Sequence, residues 1–258
     1  MIREHLFHKR APADPLFRWR GGEVSRLEAF SDAVFAVTLT LLVVSGTPPK
    51  TFDDLWLTFR DLPVFLVSFA MLMMAWYYHY QYFRRYGLED FTTNLLNTGF
   101  LFVVVFFAYP LKFLATFLWY LIVDYDAMRM MFQSATSVNP QFTALEERSL
   151  MMYLYAGGII GVFGLLALMV GRALSQKEVL ELDKLEIYLT RTSLIHHLIT
   201  VGVAVGSIVI LMTGAEPGIA GIFYFLLGPL HGVTGWKRGV HADKIHKQLV
   251  AEAKAAAA

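Results

Sequence analysis

Apolar residues along this chain gather into six stretches of about 20, the length a helix needs to cross a bilayer core of about 30 Å. The pattern predicts spans over Glu23–Ser45, Pro63–Phe83, Asp90–Val123, Leu150–Val170, Tyr188–Met212 and Gly218–Trp236. Gly46-Thr47-Pro48-Pro49 stops the first, and a short amphipathic lead-in at Thr51–Asp61 precedes the second. The third is longer than one crossing requires, with Pro110 inside it as a predicted kink and Lys112 near its far end. Gly214-Ala215-Glu216-Pro217-Gly218 makes the turn between the last two. Between the third and fourth, Asp124–Arg148 alternates Met, Phe and charge, which suits an interfacial helix. The connection from Ser175 to Arg191 mixes leucines with Lys177, Glu178, Glu181, Asp183, Lys184 and Glu186. It reads as the solvated end of a helix running on below the membrane.

Charge orients these spans. With the N-terminus inside, the inner segments 1–26, 83–90, 172–191 and 236–258 hold 17 Lys and Arg, and the outer segments 46–54, 123–148 and 213–217 hold 3. Positive charge stays on the cytoplasmic side, so both termini are expected there and the span number is expected to be even. This gives three regions: a cytoplasmic segment 1–22, a six-helix domain 23–240 and a cytoplasmic tail 241–258. Residues 1–22 carry five Arg and Lys but no apolar core or cleavage site, so the first span is expected to remain attached.

Composition narrows the function. Of 258 residues, 56% are hydrophobic and 17% charged, with a net charge of +1. That excludes a disordered chain and a nucleic-acid binder with a basic field. The chain has no cysteine, so disulfides and thiolate metal sites are excluded. It also shows no His-Glu-x-x-His, Gly-x-Ser-x-Gly or phosphate-loop element, so an enzyme and a cofactor are not expected.

The first span has two unlike faces. At about 100° per residue, Ala33, Val37, Thr40, Leu41 and Val44 share one stripe about 100° wide. Asp32 points away from it, as does Ser31. Periodicity alone leaves the stripe open to lipid, to a neighbouring helix or to a pore. An Arg, a Ser and an Asp at the mouth of a span are costly there and mark function. Small-xxx-small spacing at Gly157/Gly161, Gly202/Gly206 and Gly228/Gly232 suits close helix packing.

The run Arg26-Leu27-Glu28-Ala29-Phe30-Ser31-Asp32 resembles the Arg-x-x-x-Phe-Ser-Asp signature of the transmembrane protein 175 family, potassium-permeable channels of bacteria and of animal lysosomes. Ser68-Phe69 and Trp76-x-x-His79-x-x-x-Phe83 look like its second-helix pattern, and Asp90, Asn97 and Pro110 sit where its third helix carries similar residues. The resemblance covers residues 26–110. A single copy of each motif implies the bacterial form: a homotetramer in the bacterial inner membrane, each chain an all-α unit of six transmembrane helices, with the first helix lining a central potassium pore. It implies Val37, Leu41 and Val44 as hydrophobic pore layers and Thr40 as the selectivity layer. Val37 departs from the Ile or Leu usual at its position, which leaves Val37 and Leu41 as alternatives for the narrowest ring.

Arg26, Phe30, Ser31, Asp32, Trp76, His79 and Asn97 then form a structural network, with Asp32 expected to bond Trp76 or His79. A narrow apolar ring dewets and blocks ions without a plug. Modest potassium over sodium preference is expected, because no carbonyl-filter loop is present. The expected partners are further copies of the chain, the lipid bilayer and monovalent cations. The alternatives are a proton or mixed-cation leak using His79 or His231, and a secondary transporter. His196 and His197 are expected to pack or hydrogen-bond, and His231 to join the helix network.

Overall fold

The computed structural model describes residues 14, 16–44, 48–124, 126, 128, 131–132 and 143–256, excepting the side chains of Val44, Ala144, Ala253 and Ala256. The described residues form helices and connections, with no strand. In order these are α1 (Arg26–Val44), α2 (Phe52–Arg60), α3 (Leu62–Tyr86), α4 (Phe91–Val123), α5 (Ala144–Ser175), α6 (Lys184–Met212), α7 (Pro217–Ile222) and α8 (Leu227–Ala256), the last two joined by a 3-10 turn at Phe223–Leu226.

Helix starts follow capping chemistry. Thr51, Thr143 and Asp183 each accept from the backbone N–H three residues on, while the acid at that position reaches back to the cap amide. At Asp54 the Lys50 amide, helped by Thr51, holds the carboxyl below its ordinary range. Gly87 ends α3 with φ at 57° and donates its N–H to Phe83 O at 2.9 Å. A Cβ there would stand 3.0 Å from the Arg20 carbonyl, so both conformation and space require glycine.

Five helices among the described residues are long and apolar enough to cross a membrane: α3, α4, most of α5 (Leu145–Ser175), α6 and the α7–α8 unit over Pro217–Glu252. The expected sixth crossing is α1, a 19-residue helix that carries Arg26, Glu28 and Asp32 in its first two turns. The core lies between helices. Phe35, Leu72, Phe100, Leu101, Val104 and Leu166 bring α1, α3, α4 and α5 together. Phe17, Tyr82, Phe83, Tyr86 and Met169 form a second cluster at the end of the bundle where the chain enters α1.

Several expectations are corrected. The last span is not one helix over Gly218–Trp236: the 3-10 turn interrupts it, and α8 then runs on to Ala256. Helix α5 starts before Leu150 and ends at Ser175, and α6 begins at Lys184, so the segment between them is a short turn. Glu181 adopts a positive φ of 48° there. Within that region Glu186 is fully buried, not solvated. The cause is the N-terminal segment, which folds back so that Arg18 and Arg20 reach its carboxylate at 3.3 and 2.6 Å. The hydrogen bond that Arg18 donates to Glu186, and that carboxylate's charge, raise Arg18 above the ordinary arginine range despite partial burial. The glycine pairs are used unevenly. A Cβ at Gly161 would press on Val103 and one at Gly206 on Phe223, but Gly157, Gly202, Gly228 and Gly232 have open space. Most of the proposed interfacial helix at Asp124–Arg148 lies outside the described residues.

Breaking the Glu186 contact has a calculable cost. Removing one partner of a buried ion pair costs about 3–5 kcal/mol when the other charge cannot escape. Here Arg18 is partly exposed, so Glu186→Ala is expected to cost about 2 kcal/mol, or roughly 4–8 °C in melting temperature. Thermal unfolding of the purified protein in detergent measures it.

Candidate pore helix and its anchors

Helix α1 starts at Ser25, whose Oγ accepts the Glu28 amide at 3.1 Å and whose carbonyl accepts the Ala29 amide at 2.9 Å. From there burial follows a helical period. Glu28, Ser31, Phe35, Thr38 and Leu42 are buried, at steps of three and four residues. Phe30, Ala33, Val37, Thr40 and Leu41 are exposed, Val37 at 59% and Leu41 at 56%. Val44 closes the helix, and its side chain lies outside the described residues.

The buried face is held by polar contacts. Ser31 Oγ donates to Leu27 O at 2.8 Å and accepts from Asn97 Nδ2 at 3.0 Å. Asn97 Oδ1 lies 2.7 Å from His79 Nε2. Because the Asn97 amide nitrogen is engaged by Ser31, its oxygen must accept, and this fixes His79 as the Nε2–H tautomer. Ser31, His79 and Asn97 are all fully buried. Phe100 stacks on His79 at 5.4 Å and 10°, and Phe35 of α1 lies against both rings. Beside this chain, Trp76 Nε1 donates to Asp32 Oδ1 at 2.9 Å. One turn earlier Arg84 pairs with Glu28 at 2.6 Å and donates to Gly22 O at 3.2 Å.

Each expected network residue therefore has a definite place. Asp32 meets Trp76, while His79 meets Asn97 rather than Asp32. Arg26 and Phe30 stand apart from the bonded set: both are exposed, since their helix positions turn them away from the face that carries Ser31 and Phe35. The ion pair to the buried face of α1 is made by Arg84. Sequence reasoning missed Glu28, Arg84, Arg18, Arg20 and Glu186. The Ser25-x-x-Glu28 spacing and the Arg84-Arg85 pair at the end of α3 were the available signals, but neither names its partner across the bundle.

Thr40 is exposed on the bare face, and its hydroxyl donates to Ala36 O at 2.9 Å. With the proton spent on the backbone, the oxygen presents lone pairs outward. This is an acceptor suited to a cation. Thr38 makes the equivalent bond to Val34 O at 2.7 Å from the buried side.

His196, His197 and His231 lie elsewhere. His196 of α6 and His231 of α8 face each other through their Nδ1 atoms at 2.7 Å with rings 10° from parallel, and His231 Nε2 meets Thr200 Oγ1 at 3.1 Å. His197 turns the other way, edge-on to Tyr78 at 5.1 Å. Among the described elements α1 packs against α3 and α4, so neither His196 nor His231 reaches it. No group of three or more His, Asp or Glu among the described residues is placed to hold a metal ion.

Comparison with known proteins points the same way. The family model described as endosomal/lysosomal potassium channel TMEM175 matches residues 26–110. A protein of Marivirga tractuosa named potassium channel is 37% identical over 235 residues, covering 89% of this chain and 94% of that one. A human protein named endosomal/lysosomal proton channel TMEM175 is 28% identical over 99 residues, covering 36% of this chain and 20% of that one. Among solved structures, a crystal structure of a variant of the potassium channel MtTMEM175, bound to a nanobody–MBP fusion, matches with a TM-score of 0.74 and 36% identity. The match covers 88% of this chain and 98% of that one.

Proposed function

Since this chain belongs to the TMEM175 family and is a potassium channel, we propose that four copies of α1 surround its pore and that the Ala33–Val37–Thr40–Leu41 face is the wall. The observation that supports this most is the division of α1 into a face locked by Ser31, Asp32, Phe35 and Thr38 and an opposite face that is exposed among the described residues. A lone span facing lipid has no need of a hydroxyl on an otherwise apolar stripe, whereas a pore does.

Val37 and Leu41, one turn apart, then form two apolar rings, with Val44 a third at the outer end. Rings of this kind stop ions by excluding water, so the closed state needs no plug. Thr40, between them, supplies four hydroxyl oxygens with their protons turned to the backbone, which favours a partly dehydrated monovalent cation and modest preference for potassium over sodium. Ser31, Asp32, Trp76, His79 and Asn97 position the helix and do not touch the ion. Six crossings with α1 as the first, both termini in the cytoplasm, a homotetramer and the bacterial inner membrane as its location complete the reading, supported by the distribution of Lys and Arg.

Potassium conduction is tested in planar bilayers or proteoliposomes under opposed potassium and proton gradients. The reversal potential is expected to follow potassium. A reversal potential that follows pH would overturn the reading in favour of a proton pathway.

A further inference from the structure

The nine residues of α2, Phe52–Arg60, form a helix with no buried residue at all. Their polarity is nevertheless sorted. Phe52, Leu55, Trp56 and Phe59 fall on one side at steps of three and four; Asp53, Asp54 and Thr58 fall on the other with Leu57 among them, and Arg60 flanks the apolar side. Phe52 is 75% exposed, Trp56 65% and Phe59 63%. The helix is not a frayed end: Thr51 caps it with a complete capping box, and Asp61 alone separates it from α3.

We propose that α2 is an in-plane membrane anchor, its Phe52–Leu55–Trp56–Phe59 face seated in the outer-leaflet interface of the lipid bilayer. The proposal rests on reading α1 and α3 as consecutive spans. A helix joined to the first turn of a span through one residue must lie at the bilayer boundary. Its apolar face continues into exposed Leu62 and Leu66 of α3, which as part of a span meet lipid. Tryptophan at that depth keeps its ring in the acyl boundary and its N–H among headgroups.

A second copy of the chain docking through this face alone is the other available occupant, but the face is too small for one. At roughly 200 Å² per aromatic side chain, the four residues expose about 500 Å², under the ~800 Å² per partner that a stable protein interface buries. Charge points to apolar insertion rather than attraction to anionic headgroups, because Asp53, Asp54 and Asp61 outnumber Lys50 and Arg60 on and beside the helix. By seating in the interface, α2 holds the outer end of α1 at a fixed depth through the short connection between them.

The chain has no cysteine, so one introduced cysteine is a unique labelling site. Spin labels at Phe52→Cys, Trp56→Cys, Phe59→Cys, Asp53→Cys and Thr58→Cys, with Leu66→Cys as a span reference, are measured in proteoliposomes against oxygen and a water-soluble nickel chelate. The proposal expects labels at 52, 56 and 59 to collide mainly with oxygen, and those at 53 and 58 with nickel. All five colliding mainly with nickel would place α2 in water and overturn it. Labels at 52, 56 and 59 immobilised and shielded from both reagents would mean that protein covers the face, and would also overturn it. A label at Leu66 that prefers oxygen while the α2 labels fail would sink the anchor alone; a label at Leu66 that prefers nickel would sink the span reading and the anchor together.

Discussion

Replacing Val37 and Leu41 together by alanine is expected to raise potassium flux about tenfold, the change produced by a fall of about 1.4 kcal/mol in the barrier. Each substitution removes branched carbons from the bare face of α1 without touching the buried face that holds the helix in place. In the proposed homotetramer the loss is repeated four times in each ring. Apolar groups that exclude water from the constriction are gone, and the pore fills more readily. Thr40 stays, bonded to Ala36 O as before, so preference for potassium over sodium is expected to fall less than the barrier does. The single variants separate the two candidate rings: the narrower one carries most of the increase. Flux from proteoliposomes under a potassium gradient, with melting temperature as a check that the bundle is unchanged, measures both. Unchanged flux in the double variant would remove the hydrophobic gate from this helix.

The two faces of α1 were legible because a helix has a fixed period. Ser31 and Asp32 could be placed away from the Val37–Thr40–Leu41 stripe by counting alone, and Ser31 is indeed fully buried while Val37 and Leu41 are exposed. That the chain holds apolar helices long enough to cross a bilayer was legible too, since bilayer thickness sets the least length, but not their ends: α5 and α8 both run well past the expected bounds. Partner choice between distant elements was harder. Asp32 found Trp76, but His79 went to Asn97, because helix crossing angles and not sequence spacing decide which of two nearby donors a carboxylate meets. The Glu186 site was illegible for a further reason. Its apparent neighbours are Lys177, Asp183 and Lys184, which suggest a solvated surface, and the two arginines that bury it arrive from more than 160 residues away. The Phe223–Leu226 break was hidden because its residues are as apolar as a regular helix would have.

Asn97→Leu is expected to cost about 2–3 kcal/mol, and His79→Phe combined with Asn97→Leu to recover most of it. The reasoning turns on what each variant leaves behind. Among the described residues Asn97 is the sole hydrogen-bond partner of His79: Nε2 donates to it at 2.7 Å, while Nδ1 is buried without a partner. Leucine at 97 therefore leaves an imidazole enclosed between Phe35, Phe83 and Phe100 with no bond at all. A buried polar group in that condition loses its hydration and gains nothing in return. Ser31 suffers less, because its hydroxyl still donates to Leu27 O. In the double variant phenylalanine replaces imidazole among rings that already accept it, and leucine faces it, so no unsatisfied group remains. Thermal unfolding of the wild type, the two single variants and the double variant gives the coupling directly. Additive losses would show that His79 and Asn97 act independently, and the polar network would then not be what orients α1 toward the pore.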